Sequence, residues 1–409
     1  MSGPAPSRAA VFRFWLKLGF ISFGGPAGQI AIMYREVVEA RGWVGDRDFA
    51  HALNFCMLLP GPEALQLAIY LGWRLHGTAG GIVAGLCFIL PSLVLMLGLS
   101  FLYASFGEVP LVAAALAGLA ATVVALVLQA LWRLSHRALA RPVHWLLATG
   151  AFVALAGFEV PFPLVLAAAA AVGAWLGGPQ PADGGQGPAP RLPWRVLAGG
   201  LALWAVPLAG LLARARDGSL FTQLYVFFTQ AALVTFGGAY AVLAYVNQQV
   251  VEVLGWVTPA QAVAGLGLAE STPGPLIIVL QFIAFMAGWN QPGALPQAQA
   301  ATLASLLAAW ATFLPSFVFI LAGAPYVERL GRLGRFAGAL SGITAAVVGV
   351  IAALAVDFGA TVLLPQGLAA PAWGSVLVAA AAFVTLWRTR IDPVWVILAG
   401  MLAGLLLAG

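Results

Sequence analysis

Apolar runs of about 16–27 residues recur along almost the whole chain, and they decide its class of fold. Runs of this length form helices that cross a bilayer and satisfy their backbone hydrogen bonds internally. The strands of a transmembrane β-barrel would instead alternate apolar and polar residues. Only 8% of the 409 residues are charged, against about 25% in a soluble domain. The sequence therefore predicts an all-α, polytopic membrane protein that resides in a lipid bilayer.

The chain contains an internal repeat with a constant shift of 213 positions. The segment SFGGPAGQIAIMYREVVEARGWV, which begins at Ser22, matches TFGGAYAVLAYVNQQVVEVLGWV, which begins at Thr235. The same shift superposes Pro60-Gly61-Pro62 on Pro273-Gly274-Pro275. Agreement at fixed spacing across so many uncommon residues indicates a duplication.

The shift becomes 224 after an insertion near residues 290–299, where LAGLAATVV from Leu116 matches LSGITAAVV from Leu340. Each half then predicts six apolar elements, among them 49–73 and 77–104. A Pro/Gly-rich linker and one further apolar helix between the halves bring the total to thirteen. The predicted units are a first repeat at 1–178, a linker with its transmembrane helix at 179–215, and a second repeat at 216–409.

Loop charges predict that the two repeats have inverted topology. The basic residues that mark cytoplasmic loops are Arg74, Arg133, Arg137 and Arg141 in the first half and Arg329, Arg332, Arg335, Arg388 and Arg390 in the second. These basic loops follow non-equivalent elements in the two halves. Equivalent elements are therefore expected to have opposite orientations in the membrane. Arg214 and Arg216 disagree, because this scheme puts them outside. Inverted repeats are the usual basis of alternating access, which favours a transporter.

Phe-Gly-Gly and Pro-Gly-Pro motifs interrupt the apolar runs in both halves. Pro60 cannot continue a helix, Gly61 accepts any backbone angle, and Pro62 suits the first position of a new helix. The unpaired amides of that new helix carry partial positive charge, which makes the break a candidate anion site. A packing kink is the alternative, and the motifs either cross the membrane or form re-entrant hairpins.

We predict that the four breaks surround one central anion. The predicted substrate-binding residues are Ser22, Phe23, Gly24, Gly25, Pro60, Gly61, Pro62, Thr235, Phe236, Gly237, Gly238, Thr272, Pro273, Gly274, Pro275 and Lys17. The hydroxyl groups at the breaks serve either as helix N-caps or as direct ligands. Lys17 either holds the anion or extends to the membrane interface.

Two intramembrane acids, Glu63 and Glu270, are the predicted proton-coupling or gating residues, since such acids are functional candidates by default. Helix capping is the alternative for Glu63, which begins the half-helix after Pro62. The 213 shift pairs Glu270 with Met57, so the two acids are not equivalent. No metal, cofactor or nucleic acid is expected. Two sets of glycines are expected to form close-packed helix faces: Gly77, Gly81 and Gly85, and Gly334, Gly338 and Gly342.

Six segments together resemble the long, two-domain form of the chromate ion transporter family: SFGGPAGQI, RGWV, NFCMLLPGPEALQLAIYLGW, FILPS, TFGGAYAVLAYV and GLAESTPGPLIIVLQFIAF. The resemblance implies a multi-pass protein of the bacterial inner membrane that exports chromate and confers resistance, with sulfate as the look-alike anion. It leaves a homodimer open.

The inside-negative potential contributes about 4.6 kcal/mol per 100 mV to the exit of a dianion, and the sequence contains no P-loop for ATP. Export is therefore expected to be secondary-active, with proton coupling open. The alternatives are a transporter of sulfate or another oxyanion, a passive anion channel and, least favoured, an intramembrane enzyme.

Overall fold

The computed structural model describes residues 6–23, 25–158, 160–177, 193–214, 219–236, 238–326, 334–389 and 391–408. Within these ranges the chain forms sixteen α-helices and no β-strand, so the predicted all-α fold is confirmed. Most of the predicted linker, from 178 to 192, lies outside the described residues, as do Arg216, Arg329, Arg332 and Arg390.

The first half contains seven helices and one π-helical segment, and the linker helix follows them. They are α1 (Arg8–Ile21), α2 (Gly25–Tyr34), the π-helical segment Arg35–Ala40, α3 (Asp46–Met57), α4 (Glu63–Phe106), α5 (Pro110–Ala138), α6 (Pro142–Phe158), α7 (Phe162–Leu176) and the linker helix α8 (Trp194–Arg214).

The second half repeats this order. Its elements are α9 (Leu220–Leu233), α10 (Ala239–Asn247), the π-helical segment Gln248–Val253, α11 (Pro259–Glu270), the 3-10 turn Leu276–Ile278, α12 (Val279–Asn290), α13 (Gln297–Gly323), the 3-10 turn Ala324–Tyr326, α14 (Gly334–Leu363), α15 (Trp373–Arg388) and α16 (Pro393–Ala408).

Five helical stretches in the described ranges are long and apolar enough to cross a membrane, and they lie in α4, α5, α8, α13 and α14. The chain is thus a multi-pass membrane protein. The most apolar part of α8 is almost entirely exposed on the outside of the bundle, as expected for a linker helix. The Trp204 indole donates a hydrogen bond to the Thr229 hydroxyl at 3.0 Å and so attaches α8 to α9.

The predicted separation of the elements 49–73 and 77–104 is present as a sharp reversal inside α4. His76 and Gly77 leave the helical conformation, and Gly77 has a φ of +65°. Gly72 then packs on Gly80, and Gly81 packs on the backbone of Ile69. The two parts of α4 therefore run antiparallel and in contact.

The Phe-Gly-Gly segments form hairpins rather than continuous crossings. Phe14 in α1 and Trp43, which follows α2 and the π-helical segment, have ring centroids 5.5 Å apart. In the second half the equivalent pair, Phe227 and Trp256, is 5.6 Å apart. These contacts require the chain to fold back at the break, because each pair joins the two arms.

The Pro-Gly-Pro segments fold back in the same way. Arg74, near the end of the first part of α4, forms a 2.6 Å salt bridge with Asp48 at the start of α3. In the second half, Asn290 at the end of α12 donates a 3.0 Å hydrogen bond to Gln261 at the start of α11. Each half therefore contributes two hairpins, whose turning segments we call the tips: 22–25 and 58–62 in the first half, 235–238 and 271–275 in the second.

The same helix pairs form in both halves, and the halves are interlocked. Helix α1 packs on α4 as α9 packs on α13. Across the halves, α5 packs against α15 and α16, and α14 packs against α6 and α7. Glycine conformation follows the 213 shift as well, since φ is positive at both Gly42 and Gly255.

Close helix packing depends on the predicted glycine faces. A Cβ at Gly338 would lie 2.4 Å from the Gly173 carbonyl oxygen, and one at Gly342 would lie 2.2 Å from that of Ala169. Gly85 packs on the Phe317 ring. The prediction was wrong for Gly77, which forms the reversal in α4. A Cβ added at Gly77 would meet no atom within 4 Å, so the residue is not part of a close-packed face.

We expect Gly342→Ala to lower the melting temperature in detergent by several degrees, because overpacking against backbone costs about 1–3 kcal/mol. Gly359→Ala on the same helix is the matched control, since its added Cβ meets nothing within 4 Å. The measurement is thermal unfolding followed by intrinsic tryptophan fluorescence. Equal melting temperatures for the two variants would contradict close packing of α14 on α7.

Candidate functional site

The four hairpin tips meet in two reciprocal pairs at the middle of the protein. The Gly61 amide donates a 2.8 Å hydrogen bond to the carbonyl oxygen of Thr235. The Gly274 amide donates a 2.8 Å hydrogen bond to the carbonyl oxygen of Ser22. The 213 shift exchanges these two bonds, as a two-fold relation between the halves requires.

Side-chain amides reinforce the tips of the first half. The Gln29 Nε2 donates hydrogen bonds to the carbonyl oxygens of Ser22 at 3.1 Å and of Gly274 at 2.5 Å, so it joins tips from both halves. The Gln66 Nε2 donates to the carbonyl oxygen of Pro60 at 2.7 Å. Both glutamines are almost completely buried.

The hydroxyl groups at the breaks do not cap the following helices, and that alternative is wrong. Ser22 donates to the carbonyl oxygen of Leu18 at 2.5 Å, and Thr235 donates to that of Ala231 at 2.6 Å. Thr272 likewise donates to the helix before it, α11. The reason is position: each of these residues follows the end of one helix and is too far from the next one to cap it.

A cavity of about 950 Å³ adjoins the tips, and we call it the large cavity. The beginnings of four helical segments line it: Pro26 and Ala27 of α2, Glu63 of α4, Ala239 and Tyr240 of α10, and Leu276 of the turn before α12. The amides at these beginnings have no partner within their own helix. Their combined partial positive charge suits a bound anion.

Three arginines line the same cavity. Arg133 and Arg137 lie one turn apart on α5, and Arg35 belongs to the first π-helical segment. Within the described residues none of the three forms a salt bridge, so their charge is available to an entering ion. The lining also includes the carboxylates of Glu39 and Asp46.

The two predicted acids lie in different surroundings. Glu63 lines the large cavity and has no hydrogen bond or salt bridge to the described residues. Glu270 is 8% exposed and accepts a hydrogen bond from the Tyr240 hydroxyl. Tyr240 itself lines the cavity, so Glu270 is connected to the cavity through this phenol.

Only part of the predicted binding set lines the large cavity. Phe236 and Gly238 do so. The Pro-Gly-Pro residues Pro62, Pro273, Gly274 and Pro275 are buried behind its wall. Lys17 is exposed on the surface of α1 and does not line the large cavity. Phe23 and Gly25 are half-buried, and Gly24 and Gly237 lie outside the described residues.

Sequence reasoning missed Tyr240, Gln29 and the role of the cavity arginines. The 213 shift aligns Tyr240 with Ala27 and Gln29 with Val242. A polar residue aligned with an apolar one in the other repeat was therefore the signal that could have identified both. Arg133 and Arg137 were interpreted only as marks of topology. Within the described ranges, no group of three or more His, Cys, Asp and Glu side chains is placed to hold a metal.

We expect Gly274→Ala to reduce anion flux at least about tenfold, because a φ of +103° costs a residue with a Cβ about 1–2 kcal/mol and that Cβ would lie 2.5 Å from the Ser92 hydroxyl. Gly293→Ala is the control. Its φ of +64° also strains a residue with a Cβ, but the added Cβ would meet no atom within 4 Å. Flux per folded protein in proteoliposomes is the measurement. Equal losses in the two variants would show that strain, and not the tip, is responsible.

Comparison with known proteins places the chain among transporters. The sequence model of the family described as Chromate transporter matches residues 9–174 and 222–405. A chromate transport protein of Pseudomonas aeruginosa is 33% identical over 404 residues, which cover 98% of this chain and 92% of the relative. A chromate transport protein of Cupriavidus metallidurans is 30% identical over 353 residues, covering 86% and 82%.

A probable chromate transport protein of Synechococcus elongatus is also 30% identical, over 361 residues that cover 87% of this chain and 86% of the relative. No solved structure matches the chain. The similarity therefore extends across both halves of the protein.

Proposed function

The chain belongs to the chromate transporter family, and from this premise we propose that it exports chromate from the bacterial cytoplasm across the inner membrane. The convergence of four helix beginnings on the large cavity is the observation that carries the proposal. Chromate is a tetrahedral dianion, and backbone amides bind such ions without a buried cation. Export of this anion is what would confer chromate resistance.

The tips supply the means of alternating access in this proposal. Two reciprocal hydrogen bonds, Gly61 to Thr235 and Gly274 to Ser22, join the halves across a pseudo-two-fold relation. An inverted repeat with such a relation has two conformations that exchange the open side. The cavity would open to the cytoplasm here, because Arg133 and Arg137 belong to a basic cluster that the positive-inside rule assigns to that side.

The driving force in this mechanism is the membrane potential. An inside-negative potential contributes about 4.6 kcal/mol per 100 mV to the exit of a dianion. The unpaired arginines of the cavity attract the anion at the entrance, and the helix beginnings hold it next to the tips. Glu63, which lines the cavity, would favour the anion when protonated. If that proton travels with the dianion, one net charge is exported and the potential contributes about 2.3 kcal/mol per 100 mV instead.

Sulfate is the second candidate substrate, because it has the same charge and shape as chromate and the helix beginnings cannot distinguish the two by charge. A passive channel is disfavoured by the tip hydrogen bonds, because the tips join the two halves where a channel would need an open path, and Ser22 and Thr235 are buried there. No described feature favours an enzymatic reaction.

Radiolabelled chromate flux in proteoliposomes of the purified protein tests the proposal. Saturable flux driven by an imposed potential, with no pH gradient, is expected, and sulfate should inhibit it. Flux that appears only with a pH gradient would replace potential-driven export by obligatory proton coupling. Absence of flux under both forces, with folded protein present, would contradict chromate transport.

We expect Arg133→Gln and Arg137→Gln each to raise the half-saturating chromate concentration at the arginine-lined face by roughly fivefold, since a dianion loses one nearby unit charge. The effect should shrink as salt is added, because ions screen exposed charges. Arg141→Gln is the matched control, being near the same helix end but outside the cavity lining. Equal effects of all three changes would indicate a general surface potential instead.

We expect Glu63→Gln to reduce the pH dependence of dianion binding. In the natural protein the half-inhibiting concentration of sulfate should increase as pH rises, because an ionised carboxylate next to the anion repels it. The glutamine variant should retain a low value at every pH. The readout is inhibition of chromate flux by sulfate from pH 5 to pH 8, because sulfate stays a dianion in this range whereas chromate takes up a proton. Glu108→Gln is the control, and an unchanged pH profile would reject Glu63 as the coupling residue.

A further inference from the structure

A second, smaller cavity of about 130 Å³ lies between the two halves of the protein, and we call it the small cavity. Its apolar lining includes Leu155, Ala156 and Phe162 of the first half. Its polar lining comes from Tyr245, Gln248 and Glu252 on α10 and the second π-helical segment, and from Asp357 on α14. Glu252 and Asp357 are exposed, and their carboxylates form no hydrogen bond or salt bridge with the described residues.

The small cavity is the repeat-related counterpart of the large one. The 213 shift takes Gln248 to Arg35 and Glu252 to Glu39, and both of these line the large cavity. The wall on α14 corresponds in the same way to the wall on α5. There the 224 shift takes Leu354 to Ala130 and Asp357 to Arg133. Equivalent positions on the two π-helical segments and on α5 and α14 therefore contribute to both cavities, of which one is large and the other small.

Charge differs between the two cavities at equivalent places. Asp357 occupies the position of Arg133, and Gln248 occupies the position of Arg35. Only the carboxylate shared by Glu39 and Glu252 is the same in both. The large cavity therefore combines three arginines with the carboxylates of Glu39, Asp46 and Glu63, whereas the charged residues of the small cavity are carboxylates alone.

We infer that the small cavity is the contracted exit cavity for the transported anion, and that Glu252 and Asp357 weaken anion binding from the exit side. This inference rests on the proposed function. When the halves exchange conformations, the small cavity expands and the large one closes, because a two-fold relation makes the two states equivalent. The dianion then leaves the helix beginnings and meets two negative charges.

The carboxylates act on rates and affinities and not on the final distribution of the anion. Gradients alone set that distribution, so the charge reversal adds no driving force. It instead raises the concentration that is needed to load the protein from the exit side. An anion that has been released is therefore seldom bound again, which suits a transporter that works against an external excess.

The half-saturating chromate concentration at each face tests the inference. Asp357→Asn and Glu252→Gln should each lower the value at the exit face by roughly two- to sixfold, the effect of one charge on a dianion about 8 Å away in salt water. The value at the arginine-lined face should stay unchanged. Glu108→Gln, in the loop between α4 and α5, is the control and should change neither value. Unchanged exit-face values, or equal changes at both faces, would overturn the inference.

Cysteine labelling provides a second test that needs no chromate flux. Ala31→Cys in the large cavity and Ala244→Cys in the small one are equivalent positions, and the native Cys56 and Cys87 are buried. A membrane-impermeant maleimide should reach them from opposite faces of oriented vesicles. Labelling from the same face would overturn the inference. Labelling from opposite faces in a protein without chromate flux would uphold the paired cavities and contradict only the proposed substrate.

Discussion

The structure depends on the need to pair backbone polar groups where helices are interrupted inside a membrane. Non-helical backbone at that depth is tolerated only when it is buried in protein or lines a watery cavity. Here the tips satisfy one another, since Gly61 pairs with Thr235 and Gly274 pairs with Ser22. These bonds use the turning residues, and residues at the beginnings of the following helices line the large cavity. The requirement for pairing and the proposed anion site thus have one origin.

Duplication explains the reciprocal tips, and later divergence supplies the chemistry. Two copies of one hairpin pair form two reciprocal backbone hydrogen bonds, and the side chains of Gln29 and Gln66 add further bonds to the tip carbonyls. Side chains differ at many aligned positions of the two repeats. Tyr240 and Gln29 each align with an apolar residue of the other half, and Arg133 aligns with Asp357. A symmetric frame therefore supports two cavities that differ in charge at equivalent places. In the proposed mechanism this difference favours binding from one side and release on the other.

The sequence was sufficient for the class of fold and for the places where the chain breaks, because proline and glycine act through local backbone geometry. It left hairpins and crossings open, since contacts between the two arms, such as that of Phe14 with Trp43, decide between them. The bond from Tyr240 to Glu270 joins residues thirty positions apart and depends on how α10 and α11 pack. The position of Arg133 in the large cavity depends on the packing of α5 beside the tips, which the sequence pattern does not specify.

Four helix beginnings also match the charge of the proposed substrate. Each helix N-terminus is equivalent to about half an elementary charge, so four supply roughly two positive charges. That balances a dianion such as chromate without a full cation at the centre, where an arginine would bind the ion too tightly for rapid release. In the proposed mechanism no arginine stands at the centre, where Glu63 is charged only when it is ionised. Arg133 stands on the approach in the large cavity and Asp357 on the approach in the small one. Dipoles at the centre and ions on the approaches together give binding strong enough to load and weak enough to release.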